Sequence, residues 1–195
     1  MQRTVFNTPL VKRALHGLSL AWLRLSGWQI EGALPPEAAK SVLIAAPHTS
    51  NWDLPYTLMA GFALRLNLVW LGKASLFRWP FGGLMRWLGG MPVQRDQRNN
   101  LVAASAAVIR AAAPPFQLII PAEGTRGRTR HWKTGFYFIA LQAQVPIVLA
   151  YMDYAQRRAG LGPIFQPSGE LEADMARIKG FYAGVQGRRP GAFEN

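Results

Sequence analysis

The sequence predicts an α/β fold: a single domain on a mixed, mostly parallel sheet flanked by helices, with an amphipathic helix at its amino end. Three observations carry this expectation. Short apolar runs at 41–45, 66–71, 116–121 and 145–151 read as buried strands, because strands covered on both faces lose the polar alternation of half-exposed ones. Helical patterns at 53–64, 98–113 and 134–144 alternate with these runs, as they do in a sheet with helices on both faces. No repeat, low-complexity stretch or linker divides the 195 residues, a length suited to one domain with a sizeable core.

From the amino end, residues 9–27 form the first helix, opened by Pro9, whose fixed φ suits a first helical turn. Leu10, Ala14, Leu18, Ala21, Trp22 and Leu25 recur at helical spacing, with Lys12, Arg13 and Arg24 interspersed. Such a stripe packs on the domain core or lies in the headgroup region of an anionic bilayer, and both uses can hold on different faces. Residues 28–32 read as a short strand and Pro35-Pro36 as a turn. Strand 41–45 leads through a turn into a helix from about Asp53. After strand 66–71, residues 72–90 are rich in glycine and aromatics. A short strand at 91–95 precedes the alanine-rich helix 98–113, which Pro114-Pro115 stops. Strand 116–121 feeds directly into Glu123-Gly124-Thr125-Arg126. Helix 134–144, strand 145–151 and one helix within 171–184 complete the chain.

Half of the residues are hydrophobic, 16% are charged and seven are Trp, a composition that excludes a disordered chain. The formal charge of +12, from 22 Lys plus Arg against 10 Asp plus Glu, favours anionic partners. Low charge density with many aromatics points to an anionic membrane surface more than to nucleic acid, since no helix-turn-helix, zinc, RNP or KH pattern is present. With no Cys, thiol catalysis, disulfides and cysteine metal sites are excluded. No segment has the apolar length of a spanning helix, and the amino terminus lacks the layout of a secretory signal. The expectation is a peripheral membrane protein on the cytoplasmic face, with residues 1–27 as the membrane-associating helix of the same domain.

The segment Ala46-Pro47-His48-Thr49-Ser50-Asn51-Trp52-Asp53 sets a histidine and a carboxylate five positions apart, directly after a strand. Residues five apart leave a common helix face, so for the two to meet His48 must lie in the turn and Asp53 in or near the first helical turn. A carboxylate-held imidazole is a general base suited to neutral pH. Asn51 or Asp53 acting only as a helix cap is the simpler use of the same residues. Lys73 follows a strand within Gly72-Lys73-Ala74-Ser75-Leu76-Phe77-Arg78-Trp79-Pro80-Phe81-Gly82-Gly83, where Phe77, Trp79, Phe81 and Trp87 line an apolar slot, dip into lipid or belong to the core. Arg95 ends the next strand; Glu123, Gly124, Thr125, Arg126 and Arg128 follow another. Cations at several strand ends, on the side of His48, make a site for a doubly charged phosphate. No acidic cluster of the kind metal-assisted phosphoryl transfer uses is evident.

These blocks, in this order, resemble the glycerolipid acyltransferase family, whose members acylate lysophosphatidic acid or glycerol 3-phosphate. The likeness covers about residues 28–153 and rests on His48 with Asp53, the Lys73 block with Arg95, Glu123-Gly124-Thr125-Arg126, and Val145-Pro146-Ile147. It implies an acyltransferase domain at 28–195. It also implies transfer from acyl-CoA or acyl carrier protein to the hydroxyl of a lysophospholipid or glycerol phosphate, most of all 1-acylglycerol 3-phosphate. His48 would take the hydroxyl proton, Asp53 would support the imidazole, and no acyl-enzyme, cofactor or metal would be used. Arg95 and Arg126, assisted by Lys73, would hold the acceptor phosphate, with Glu123, Gly124 and Thr125 in the acceptor site. Pro47 stands where many members have Asn, and Gly127 where a Ser commonly closes the block. An aminoacyl lysolipid or another phosphorylated glycerol therefore stays open as acceptor, as does a catalytically silent lipid-binding module.

Overall fold

The computed structural model describes residues 3–93, 98–123 and 132–189. Its strands are β1 (Gln29–Glu31), β2 (Lys40–Ala46), β3 (Leu68–Lys73), β4 (Gly90–Val93), β5 (Phe116–Pro121), β6 (Ile147–Asp153) and β7 (Arg158–Phe165). They form one sheet in the order β1-β7-β6-β2-β5-β3-β4. The five strands from β6 to β4 run parallel, β7 lies antiparallel to β6, and β1 is parallel to β7. The helices are α1 (Pro9–Leu25), α2 (Asp53–Ala63), α3 (Gly82–Trp87), α4 (Arg98–Ala111), α5 (Gly135–Ala143) and α6 (Leu171–Phe181).

The apolar run of β2 is continuous because each face of the sheet meets a different core. Val42, Ile44 and Ala46 pack with Ile109 of α4, Phe136 and Ile139 of α5, and Ile178 of α6. Leu43 points the other way, joining Phe62 of α2, Leu68 and Phe6. This is the period-two alternation of a strand, with both faces apolar. A third cluster joins Leu23 of α1 and Trp28 to Ala60 of α2 and Met152 of β6, with Tyr56 and Tyr154 packed against it.

Two elements differ from the sequence expectation. Residues 158–165 form β7, reached from β6 by a tight turn in which the Asp153 carboxylate accepts the amides of Ala155 (2.9 Å) and Gln156 (3.0 Å). The glycine- and aromatic-rich stretch holds a short helix, α3. Phe77 is part of the folded interior, neither slot nor lipid contact, while Trp79 is 94% exposed and Phe81 is exposed beside it.

The α1 stripe also resolves into two faces. Val11, Leu15 and Leu23 pack inward. Leu10, Leu18, Trp22 and Leu25 face out, Leu25 at 89% exposure, and Ala14 and Ala21 are exposed with them. The stripe read from the sequence is thus the outward one. No helix among the described residues is long and apolar enough to cross a membrane.

Candidate active site

Parallel strands carry the site to one end of the sheet. β2 ends at Ala46, β5 at Pro121, β3 at Lys73 and β4 at Val93, so the four sequence blocks leave neighbouring strands in the same direction. Chemistry in open α/β sheets collects at this carboxyl end. From β2, the chain turns through Pro47, His48, Thr49 and Ser50 into α2, whose first residue is Asp53. Pro55 sits in the first helical turn, where its missing N–H costs nothing. A carboxylate here also faces the positive end of the helix dipole.

His48 Nδ1 lies 3.1 Å from Asp53 Oδ2. Because a carboxylate only accepts, Nδ1 carries the hydrogen and Nε2 is left to receive a proton. The same Oδ2 accepts the amides of Thr49 and Ser50, each at 2.8 Å. The Tyr154 hydroxyl donates to the other oxygen, Oδ1, at 2.8 Å. Burial pushes the Asp53 carboxyl up, but the bonds from His48, the Ser50 amide and Tyr154 outweigh it and hold Asp53 below its ordinary range. Asp53 is therefore a fixed anion, its side chain 5% exposed beside an imidazole at 27%.

Glu123 approaches from the end of β5 and is 3% exposed. Its Oε1 accepts the His48 amide at 2.9 Å, and its Oε2 has no hydrogen-bond partner among the described residues. Burial raises its carboxyl above the ordinary glutamate range, opposed by the bond from the His48 amide. Lys73 ends β3, exposed. It stands two strands from β2, at about 4.8 Å per strand, on the same end of the sheet as His48. Arg95, Gly124, Thr125 and Arg126 lie outside the described residues; β5, which leads to Gly124, pairs with β2, and β4, which leads to Arg95, ends at the same end of the sheet three strands away.

Below the pair lies a narrow apolar cavity of about 50 Å³. It runs from Pro47, His48 and Asp53 between α2 (Ala60, Gly61) and the sheet toward Leu68. Above, the carboxyl-terminal segment covers the turn: the Arg189 amide donates to Thr49 Oγ1 (3.3 Å) and the Arg188 guanidinium stands 5.2 Å from the Trp52 ring centre. Gly187 is required there, since a Cβ would come within 2.8 Å of the Thr49 side chain.

A buried acid–imidazole pair over an apolar cavity is suited to deprotonating a hydroxyl beside a bound hydrocarbon chain. Consistent with this, the sequence profile described as Acyltransferase matches residues 29–153. The chain belongs to the acyltransferase family. In fold, this acyltransferase is similar to the crystal structure of the 1-acyl-sn-glycerophosphate (LPA) acyltransferase PlsC from Thermotoga maritima. The TM-score is 0.61 over 90% of this chain and 78% of that one, at 16% identity. No curated protein sequence matches the chain.

Of the residues singled out by sequence, His48, Asp53 and Glu123 of the acyltransferase come together, and Lys73 ends a strand two places from β2 at the same end of the sheet. Sequence reasoning missed Tyr154, the Thr49 and Ser50 amides and Gly187. Tyr154 left one signal, since it follows a strand parallel to β2 and so emerges at the same end of the sheet.

Proposed function

We propose that this acyltransferase moves an acyl chain from acyl-CoA or acyl carrier protein to the hydroxyl of a lysophospholipid or glycerol phosphate, with 1-acylglycerol 3-phosphate the best-fitting acceptor. The observation that carries the proposal is the His48–Asp53 pair at the mouth of an apolar cavity. His48 Nε2 takes the acceptor hydroxyl proton as the oxygen attacks the thioester carbonyl. The tetrahedral intermediate then expels the thiolate, breaking the C–S bond, and the imidazolium returns its proton to the sulfur. Asp53 stays ionised throughout and stabilises the imidazolium. Because the acceptor oxygen attacks directly, no residue is acylated.

The acyl chain lies in the cavity between α2 and the sheet, whose narrowness requires side chains to part as it enters. The acceptor phosphate falls to Arg95 and Arg126 with help from Lys73, and Gly124 and Thr125 shape its site. Buried Glu123 serves this site from behind, through the His48 backbone. Anchoring is peripheral: the outward stripe of α1, together with exposed Trp79 and Phe81, enters the headgroup layer of an anionic bilayer on the cytoplasmic face. The net charge of +12 favours that surface.

Labelled palmitoyl-CoA supplied with lysophosphatidic acid tests the reading. Equal yields of free CoA and phosphatidic acid are expected, with no labelled protein. Failure to form product from this pair, from acyl carrier protein as donor and from other lysolipid acceptors would overturn it.

A further inference from the structure

We propose that Tyr154 is a positioning residue of the acyl transfer, completing a Tyr154–Asp53–His48 chain in which its hydroxyl fixes the carboxylate and limits how tightly Asp53 holds the imidazolium. The inference rests on the general-base reading of His48. Asp53 has two oxygens: Oδ2 is committed to His48 and two turn amides, and Tyr154 alone among the described side chains donates to Oδ1.

Tyr154 is held on every side. Its amide donates to the Gln186 carbonyl (2.9 Å) in the covering carboxyl-terminal segment. Asp153, immediately before it, fixes the turn through two amides. Its ring meets Trp28 edge-on at 5.0 Å and Tyr56 at 6.0 Å. Leu23 of α1 belongs to the same cluster, so the outward-striped helix and the catalytic carboxylate share one support. A tyrosine placed only to fill space would not need its hydroxyl aimed at a buried anion. Burial, followed by Asp53 itself, pushes the Tyr154 hydroxyl well above its ordinary value, so it remains a donor at working pH.

The charged and titratable groups facing the chain are Tyr56 from α2, Arg188 from the carboxyl-terminal segment, and Glu123, which reaches His48 through its amide. None of them bonds Asp53 Oδ1. Removing the Tyr154 hydroxyl therefore concentrates the Asp53 charge on the imidazolium and favours the protonated ring. The acidic limb of kcat/KM, which reports that ionisation, moves upward with it.

The experiment compares wild type, Tyr154→Phe and the control Tyr56→Phe, which loses a hydroxyl from the same cluster. In Tyr154→Phe, kcat should fall about tenfold with both KM values nearly unchanged. The acidic limb should rise by about half a pH unit, an amount within reach of one lost bond to a carboxylate. Tyr56→Phe should match wild type in both. NMR titration of the His48 imidazole, its signal identified with His48→Ala, should show the same upward shift. This readout does not need turnover, so it separates failure of the chain from failure of the acyltransfer assignment. An unshifted His48 titration in folded Tyr154→Phe would overturn the proposal. So would a loss of kcat that merely tracks a lowered Tm with the limb in place.

Discussion

At Glu123, one oxygen fixes the His48 amide and the other is buried without a hydrogen-bond partner among the described residues. Its carboxyl is raised above the ordinary glutamate range, so folding favours its protonated form. Stability from this group is therefore complete below the unfolded glutamate value of about 4.3 and is lost as pH rises through the higher folded value. Glu123→Gln keeps an oxygen for the amide and removes the ionisation. Its Tm relative to wild type should therefore be more favourable at pH 8 than at pH 5, and thermal melts at the two values check this. A relative advantage for wild type at pH 8 would show that the ionised form is the favoured one. Asp53 has the opposite sign: its lowered value adds stability above the unfolded aspartate range that is lost on acidification. A second prediction concerns substrate. Arg126→Ala should raise the acceptor KM, or lower kcat/KM for the acceptor at least tenfold, and leave the donor KM nearly unchanged. Steady-state kinetics with each substrate varied in turn decides it, and wild-type acceptor kinetics would remove Arg126 from the phosphate site.

At the level of elements, the turn between β2 and α2 brings His48 to Asp53, and the outer face of α1 offers the test. Leu18, Trp22 and Leu25 contribute little to the core because they point away from it. Replacing all three by Ser should leave Tm within about 2 °C of wild type, as surface changes away from special features do. Partition onto anionic vesicles should fall roughly a hundredfold, measured by sedimentation, from the apolar area withdrawn from lipid. Unchanged partition would take α1 out of the membrane contact. The sequence made β2, β3, β5 and β6 legible because both their faces are buried, leaving unbroken apolar runs. β7 was not, since Gly160, Gly162 and Pro163 interrupt its pattern; β1 pairs only with Arg158, Ala159 and Gly160, so the stretch with Pro163 is unpaired on that side. Short α3 has too few turns for a period to register. His48 and Asp53 were legible as a pair because a single turn joins them. Tyr154 was not, because 101 residues separate it from Asp53 and only the parallel pairing of β6 with β2 closes that gap. The α1 stripe was legible as a stripe, but which face it turned outward depended on packing against α2.

Taken whole, the molecule is a sheet whose parallel strands deliver a histidine, a buried acid and the roots of two cation-bearing loops to one end, above an apolar cavity. The tyrosine on Asp53, the aromatic cluster beneath it and the carboxyl-terminal segment over Thr49 join distant parts of the chain at that end. In the proposed function, His48 is the base of an acyl transfer to a lipid hydroxyl. Thiol release from palmitoyl-CoA, with and without lysophosphatidic acid, for wild type and His48→Ala measures it most directly. Release by wild type should require the acceptor, and the rate should fall by a factor of at least about 10³ in His48→Ala. Equal acceptor-dependent release by the two folded proteins would contradict it.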